Sequence, residues 1–270
     1  MQSMQRFSKK LKSETKMEWD FGKTAAIIIT GNEILSGKVP EQNAQYLARE
    51  LRALGVNLKR VCIISDQIES IAEEIAFCKD RFNFVFTSGG IGPTHDDVTV
   101  EGIALGLNKQ MTEHPVLSKL LRDSYPDRVN PALMKMAAVP EGTELIYGAG
   151  LRSPVLLIGN IYIFPGVPEF LVRKFTAIKE RFQDAPFHLK KIFLCLDEEK
   201  IADPLNKTLE QFPRLLLGSY PILNQKEYKV VVTAESKDAS LLAQATKVLL
   251  SLLPEESVFK LEEARPVKEH

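Results

Sequence analysis

Residues 24–30, Thr-Ala-Ala-Ile-Ile-Ile-Thr, are a short uninterrupted apolar run closed by Gly31, the pattern of a parallel strand buried on both faces. From Asn43 onward Leu47, Leu51 and Leu54 recur at helical spacing and stop at Gly55, a helix C-cap, before a second apolar run over 58–64. Ile71, Ile75, Ala76 and Cys78 mark another helix, residues 84–87 a third strand, and residues 100–107 a third helix. Strands that alternate with helices in this way specify an α/β fold around a parallel sheet.

Further along, the pattern between Thr112 and Pro140 is helical but interrupted by Pro115, Pro126 and Pro131, which predicts two short helices wrapped on the sheet. Residues 154–158 and 160–164 read as a hairpin turning at Gly159-Asn160, followed by a helix over 168–182. Polar and proline residues over 184–187 mark a boundary. Beyond it the order is strand 190–196, helix 198–211, strands 214–219 and 227–234, and helix 238–252, a small α+β accessory domain. The expected organisation is therefore a disordered tail at 1–20, a nucleotide- and metal-binding domain at 21–185, the accessory domain at 186–262 and a second tail at 263–270.

The charge balance matters for what the domain binds. Lys and Arg total 35 against 35 Asp and Glu, so no global positive field argues for nucleic acid as a partner. No apolar run is long enough for a bilayer, and none is expected to meet a membrane. Cys62, Cys78 and Cys195 are odd in number and far apart, which fits neither a disulfide framework nor paired zinc ligands and points to a reducing, cytoplasmic setting. Residues 1–20 lack the apolar core of a secretory signal; Glu14 and Glu18 argue against a transit peptide without deciding the matter.

The chemistry concentrates in one turn, Ser88-Gly89-Gly90-Ile91-Gly92-Pro93-Thr94-His95-Asp96-Asp97, between a strand end and a helix. That places it in the crevice outside the carboxyl ends of the strands, where open α/β sheets bind ligands. Its glycines let backbone N–H groups approach phosphate oxygens, and the next helix adds its positive end. The turn lacks the Lys-Ser/Thr of a P-loop and the spacing of a dinucleotide fingerprint. Asp96-Asp97 beside a phosphate cradle implies an intervening divalent cation; equally, with Thr99 as N-cap, Asp97 and Glu101 are read as charges favouring the helix end. Gly31-Asn32-Glu33, at the exit of the first strand, and Asp66, past the second, share the same edge, so Glu33 is a candidate metal ligand and Asp66 a candidate catalytic or ligand-orienting residue. Each also reads as an ordinary loop acid or cap. Phe164-Pro165-Gly166-Val167-Pro168-Glu169 is a second strand-to-helix turn, with Pro168 suited to a first helical position and Gly166 to close approach; it reads equally as a rigid turn. His95 is placed to donate to a phosphate; a lone loop histidine is as readily just exposed.

The segments Gly31-Asn32-Glu33-Ile34-Leu35, Gln42-Asn43, residues 88–99 and 164–169 together resemble the MoaB/Mog, or molybdopterin-binding-like, superfamily. Gly89 through Thr99 is most similar to its CinA-type branch and to the N-terminal domain of eukaryotic-type FAD synthases, and Gly218-Ser219-Tyr220-Pro221 extends the likeness into the accessory region. The resemblance implies a MoaB/Mog-like three-layer parallel-sheet domain with a smaller α+β domain. It also implies metal-dependent hydrolysis of a nucleotide pyrophosphate, FAD to FMN and AMP, or ADP-ribose. In that reading Asp97, Asp96 and Glu33 bind magnesium, manganese or cobalt. Asp97, Asp96 and Asp66 are the catalytic set, and Gly31, Asn32, Ser88, Gly89, Gly90, Gly92, Thr94, His95, Gly166 and Glu169 face the phosphates and nucleotide.

Where molybdopterin adenylyltransferases carry Arg-Asp, this chain has Asp96-Asp97, exchanging a phosphate-seeking cation for a metal-seeking anion. Their Pro-Gly-Ser-Pro becomes Pro165-Gly166-Val167-Pro168, losing a hydroxyl donor. A pterin-binding or adenylylating enzyme and a silent nucleotide-binding module stand as the alternatives. The length beyond the accessory region leaves neither an FAD-synthesising nor an amidase domain to be expected, and a homodimer is expected from the resemblance and from the commonness of twofold assemblies.

Overall fold

In the computed structural model residues 22–264 are described; the tail expected at 1–20 and residues 265–270 lie outside them. The chain divides into two compact units that meet in sequence at Pro186 and Phe187. In the first, β1 (Thr24–Thr30), β2 (Asn57–Ile64), β3 (Phe84–Ser88) and β8 (Ile161–Phe164) run parallel; β7 (Val155–Ile158) pairs antiparallel with β8 and β6 (Glu144–Ile146) antiparallel with β7, in the order β2-β1-β3-β8-β7-β6. The central run of β1 is buried throughout, as its unbroken apolar sequence requires. Side chains alternate across the sheet. Ala25, Ile27 and Ile29 join Phe86, Phe164 and Phe175 in one core, whereas Ala26 and Ile28 join Ile71, Ile75, Ile103 and Ile161 in the other. The first core is covered by α2 (Asn43–Ala53) and α7 (Pro168–Ile178), the second by α3 (Ile68–Cys78) and α4 (Thr99–Gly106). The result is the expected three-layer α/β architecture.

Parallel pairing has one consequence for function. With Thr30 opposite Ile64, Ile29 opposite Ser88 and Ser88 opposite Phe164, four strands end on a single edge. A four-residue helix, α1 (Asn32–Leu35), follows β1 there. The hairpin turn is at Gly159, whose φ of +59° suits a residue without Cβ.

The stretch expected as two interrupted helices holds α5 (Pro115–Ser124), a 3₁₀ turn (Pro126–Arg128) and α6 (Pro131–Lys135). Pro115 and Pro131 start helices instead of breaking them, because the first helical position needs no N–H partner. These helices are flanked by an unanticipated pair of short strands, β4 (Met111–Glu113) and β5 (Ala138–Pro140).

The second unit contains β9 (His188–Leu194), α8 (Glu198–Gln211), β10 (Leu216–Pro221), β11 (Val230–Ser236), α9 (Ala239–Ser251) and β12 (Val258–Ala264), with sheet order β10-β11-β9-β12. β12 was not anticipated, and it occupies Glu263 and Ala264, which the sequence assigned to a tail; their backbone pairs with β9. Ile192, Leu194, Ile201, Val230, Val232 and Leu249 form its core. Among the described residues no helix is long and apolar enough to cross a membrane.

Candidate functional site

The glycine turn leaves β3 pressed against β1. A Cβ on Gly89, whose φ is +107°, would stand 2.2 Å from the Thr30 carbonyl oxygen, and one on Gly90 2.3 Å from Thr99 Oγ1. Thr99 is fully buried, with its hydroxyl 2.9 Å from Thr30 Oγ1 and its N–H donating to the Gly90 carbonyl. It therefore lies inside α4 and is not the N-cap: Val98 holds that position, and no side chain caps the helix. The Gly89 N–H donates to the Phe164 carbonyl and the Thr94 N–H to Asp97 Oδ2. Among the described residues the N–H groups of Gly90, Ile91 and Gly92 donate to no protein atom. Three consecutive main-chain donors are thus free at the crevice.

Next to them two carboxylates converge. Thr94 Oγ1 lies 2.6 Å from Asp96 Oδ1 and 2.5 Å from Asp97 Oδ2, although one hydroxyl has only one proton to give. Gly92 makes room, since a Cβ there would be 2.6 Å from Asp97 Oδ2. The Thr94 hydroxyl holds the Asp96 carboxyl below the usual range, with smaller help from His95 and Lys135. Asp66 behaves oppositely: burial raises its carboxyl, and the negative charges of Glu33, Asp96 and Asp97 push it further. All four acids therefore share one field.

They do not form a cage. Among the described residues no three His, Cys, Asp or Glu side chains gather to hold a metal ion. Glu33 folds back over Gly31, where an added Cβ would meet its Oε1 at 2.7 Å, so the expected trio is a converging pair, Asp96 and Asp97, with Glu33 apart. A donor set of two carboxylates still fits magnesium, which keeps several waters and is commonly held by one or two carboxylates together with substrate phosphates.

Several expected ligand contacts are occupied by the protein itself. Asp66 Oδ2 accepts the Asn32 N–H at 2.8 Å, joining the β2 and β1 exits, and the Gly31 N–H donates to the Ile64 carbonyl. Ser88 is buried; its Oγ donates to the Pro165 carbonyl and accepts from Asn43 Nδ2, which also donates to the Gly166 carbonyl at 2.7 Å. Ser88 thus ties two strand exits together and offers no hydroxyl to a ligand. Gly166 packs on Gly89 so closely that a Cβ would lie 3.2 Å from the Gly89 α-carbon. His95 is 96% exposed at its side chain and 3.9 Å from Asp96. Glu169 is exposed on the first turn of α7, and its carboxylate has no hydrogen bond to the turn among the described residues.

Two contributors were missed by sequence reasoning. Asn43 was visible only as part of the family pattern, because its partners lie 45 and 123 residues away. Lys135, at the end of α6, reaches the carbonyl oxygens of Thr94 at 3.2 Å and Asp97 at 2.6 Å and pairs with Glu101 at 3.4 Å. No local spacing signals it.

Residues 26–208 match the family described as "Probable molybdopterin binding domain", and residues 186–262 match "FAD synthase, middle domain". A protein of Archaeoglobus fulgidus is 35% identical over 84% of this chain and 96% of its own length. A "Probable FAD synthase" of Caenorhabditis elegans is 29% identical over 86% of this chain and 50% of its own length, so the chain spans half of that relative. The crystal structure of CinA from Thermoplasma acidophilum, 28% identical, superposes with a TM-score of 0.55 over 60% of this chain and 100% of that one. The glycine turn, the shared strand edge and these matches agree: the chain belongs to the MoaB/Mog superfamily, in the CinA-type branch to which the FAD synthase relatives also belong.

Proposed function

We propose that this protein is a divalent-metal-dependent pyrophosphatase acting on nucleotide diphosphate conjugates, FAD first and ADP-ribose second. The observation that carries this reading is the adjacency of three unpaired N–H groups, Gly90 to Gly92, to the converging carboxylates of Asp96 and Asp97. In it the N–H groups hold phosphate oxygens, with the start of α4 adding its positive end. Asp96 and Asp97 hold magnesium, manganese or cobalt together with those oxygens, and Glu33 and Asp66 add negative charge behind them. When bound, such an ion lowers the pKa of coordinated water and neutralises charge developing on the pyrophosphate.

Covalent chemistry has no good nucleophile at this edge. The Ser88 hydroxyl is held in the tether. Burial and the neighbouring Glu74 push the Cys62 thiol up to about 12 and raise Cys78 as well, which suppresses the thiolate. The Thr94 hydroxyl is engaged by the Asp96 and Asp97 carboxylates, and in this reading water is the attacking group.

Chromatography of chelator-treated protein against samples supplied with magnesium, manganese or cobalt tests the reading. FMN and AMP are expected from FAD, and AMP and ribose phosphate from ADP-ribose. Transfer of AMP from ATP to molybdopterin in a parallel sample supports the adenylylating alternative, and binding without turnover supports a sensor. Absence of metal-stimulated product from both FAD and ADP-ribose overturns the pyrophosphatase reading.

A further inference from the structure

Lys135 closes a short helix that is fixed at both ends. Pro131 starts α6, Asn130 Oδ1 accepts the Leu133 N–H at 2.8 Å, and Met134 packs against the cluster of Val100, Leu117, Ala137 and Val139. From this anchored backbone the ammonium crosses to the acidic turn. It has three protons and three acceptors: the Thr94 and Asp97 carbonyls and the Glu101 carboxylate. Two of its protons are thus committed to the turn's own carbonyl oxygens, and the Glu101 carboxylate holds the ammonium as an ion pair.

The two carbonyls it binds belong to the residues that close the turn. The Asp97 N–H donates to the Thr94 carbonyl, and the Thr94 N–H and hydroxyl point to Asp97 Oδ2. Without the ammonium the two carbonyl oxygens lose their shared donor, Glu101 loses its ion pair and Asp96 a favourable charge. We propose that Lys135 is a positioning residue: it clips the 94–97 turn closed so that Asp96 and Asp97 converge on one point beside the free N–H groups. Its effect on turn geometry stands alone, whereas its effect on cation binding rests on the metal reading above.

The test uses the full chain as wild type, Lys135→Met, Lys135→Gln and Lys135→Arg. Hydrogen exchange follows the amides of Thr94 and Asp97 against those of Ile28 and Phe86, and electron paramagnetic resonance follows manganese affinity in the presence of α,β-methylene-ADP. Loss of the ammonium is expected to speed exchange at Thr94 and Asp97 by about tenfold or more while the β1 and β3 amides hold. It is also expected to weaken manganese by about 10- to 100-fold, the usual effect of removing a group that orients metal ligands. Lys135→Arg, which keeps the charge, is expected to retain most of both. If the wild type binds no manganese while turn protection still depends on Lys135, the clip stands and the metal reading fails. Unchanged turn protection in a folded Lys135→Met or Lys135→Gln protein overturns the clip; changed protection with unchanged manganese affinity, where the wild type binds the ion, overturns its effect on cation binding.

Discussion

At Asp97 the structure separates two roles that look alike in sequence. Its carboxylate does not cap α4; it accepts from the Thr94 N–H and hydroxyl across the α-carbon of Gly92. An asparagine oxygen accepts the same N–H, so Asp97→Asn is expected to fold with an unchanged melting temperature. Its turnover of FAD is expected to fall by about a hundredfold, roughly 3 kcal/mol of transition-state stabilisation, because the amide lacks the charge a hard cation needs. Nucleotide binding by calorimetry is expected to change far less, since the main-chain donors stay in place. Wild-type turnover in a folded variant removes Asp97 from the mechanism. At this scale the sequence shows a tight glycine turn beside paired acids, and leaves open what the neighbouring hydroxyls do. Gly89, Gly90 and Gly92 are each required by a close approach, and a glycine-rich run announces that. Ser88 and Thr99 face partners far away in the chain, so no local spacing reveals that one is a tether and the other is turned toward β1.

Among the elements, strands buried on both faces were legible because each is a continuous apolar run. β4, β5 and β6 have three residues apiece, too few to show a period, and β12 mixes Lys260, Glu262 and Glu263 with its apolar positions. Helix α2 contributes more to the site than its amphipathic pattern shows, through Asn43 at its first position. Asn43→Ala leaves the Gly166 carbonyl without that donor, and a loss of about 1–3 kcal/mol in denaturant unfolding is expected; stability equal to wild type would mean that the Ser88–Pro165 and Gly89–Phe164 hydrogen bonds and the Gly89–Gly166 packing hold the two exits without it. Helix α7 has its own signature. Lys174 donates to the Ser153 and Pro154 carbonyls, and burial, with a smaller push from Arg173, lowers its ammonium to about 8. Between about pH 8 and its usual 10.5 the unfolded chain binds more protons at this position than the folded one, so stability from this group rises with pH across that window. In thermal melts at pH 7.5 and pH 10, wild type is expected to gain relative to Lys174→Met; a pH-independent difference would refute the assignment.

The whole chain comprises two units with separate cores, Ile27, Phe86 and Phe175 in one and Ile192, Val232 and Leu249 in the other. In sequence the boundary is expected at the polar and proline residues over 184–187, which separate two patterned regions. Among the described residues β2 is an edge strand, with Val61 and Ile63 half-exposed and no strand on its outer side, an arrangement that proteins commonly cover. A dimer is the expected state, and light scattering at working concentration checks it; a monomer mass excludes it.

The free donors at Gly90, Ile91 and Gly92 are main-chain atoms, and this bears on how such a site changes over generations. A point mutation that leaves the backbone path intact cannot delete an N–H, except by introducing proline. The side chains at 94, 96 and 97 carry no such protection. In the proposed reading, anion affinity is therefore the durable trait of this edge and reaction type the variable one, so that a lineage could exchange one chemistry for another while keeping its hold on the ligand.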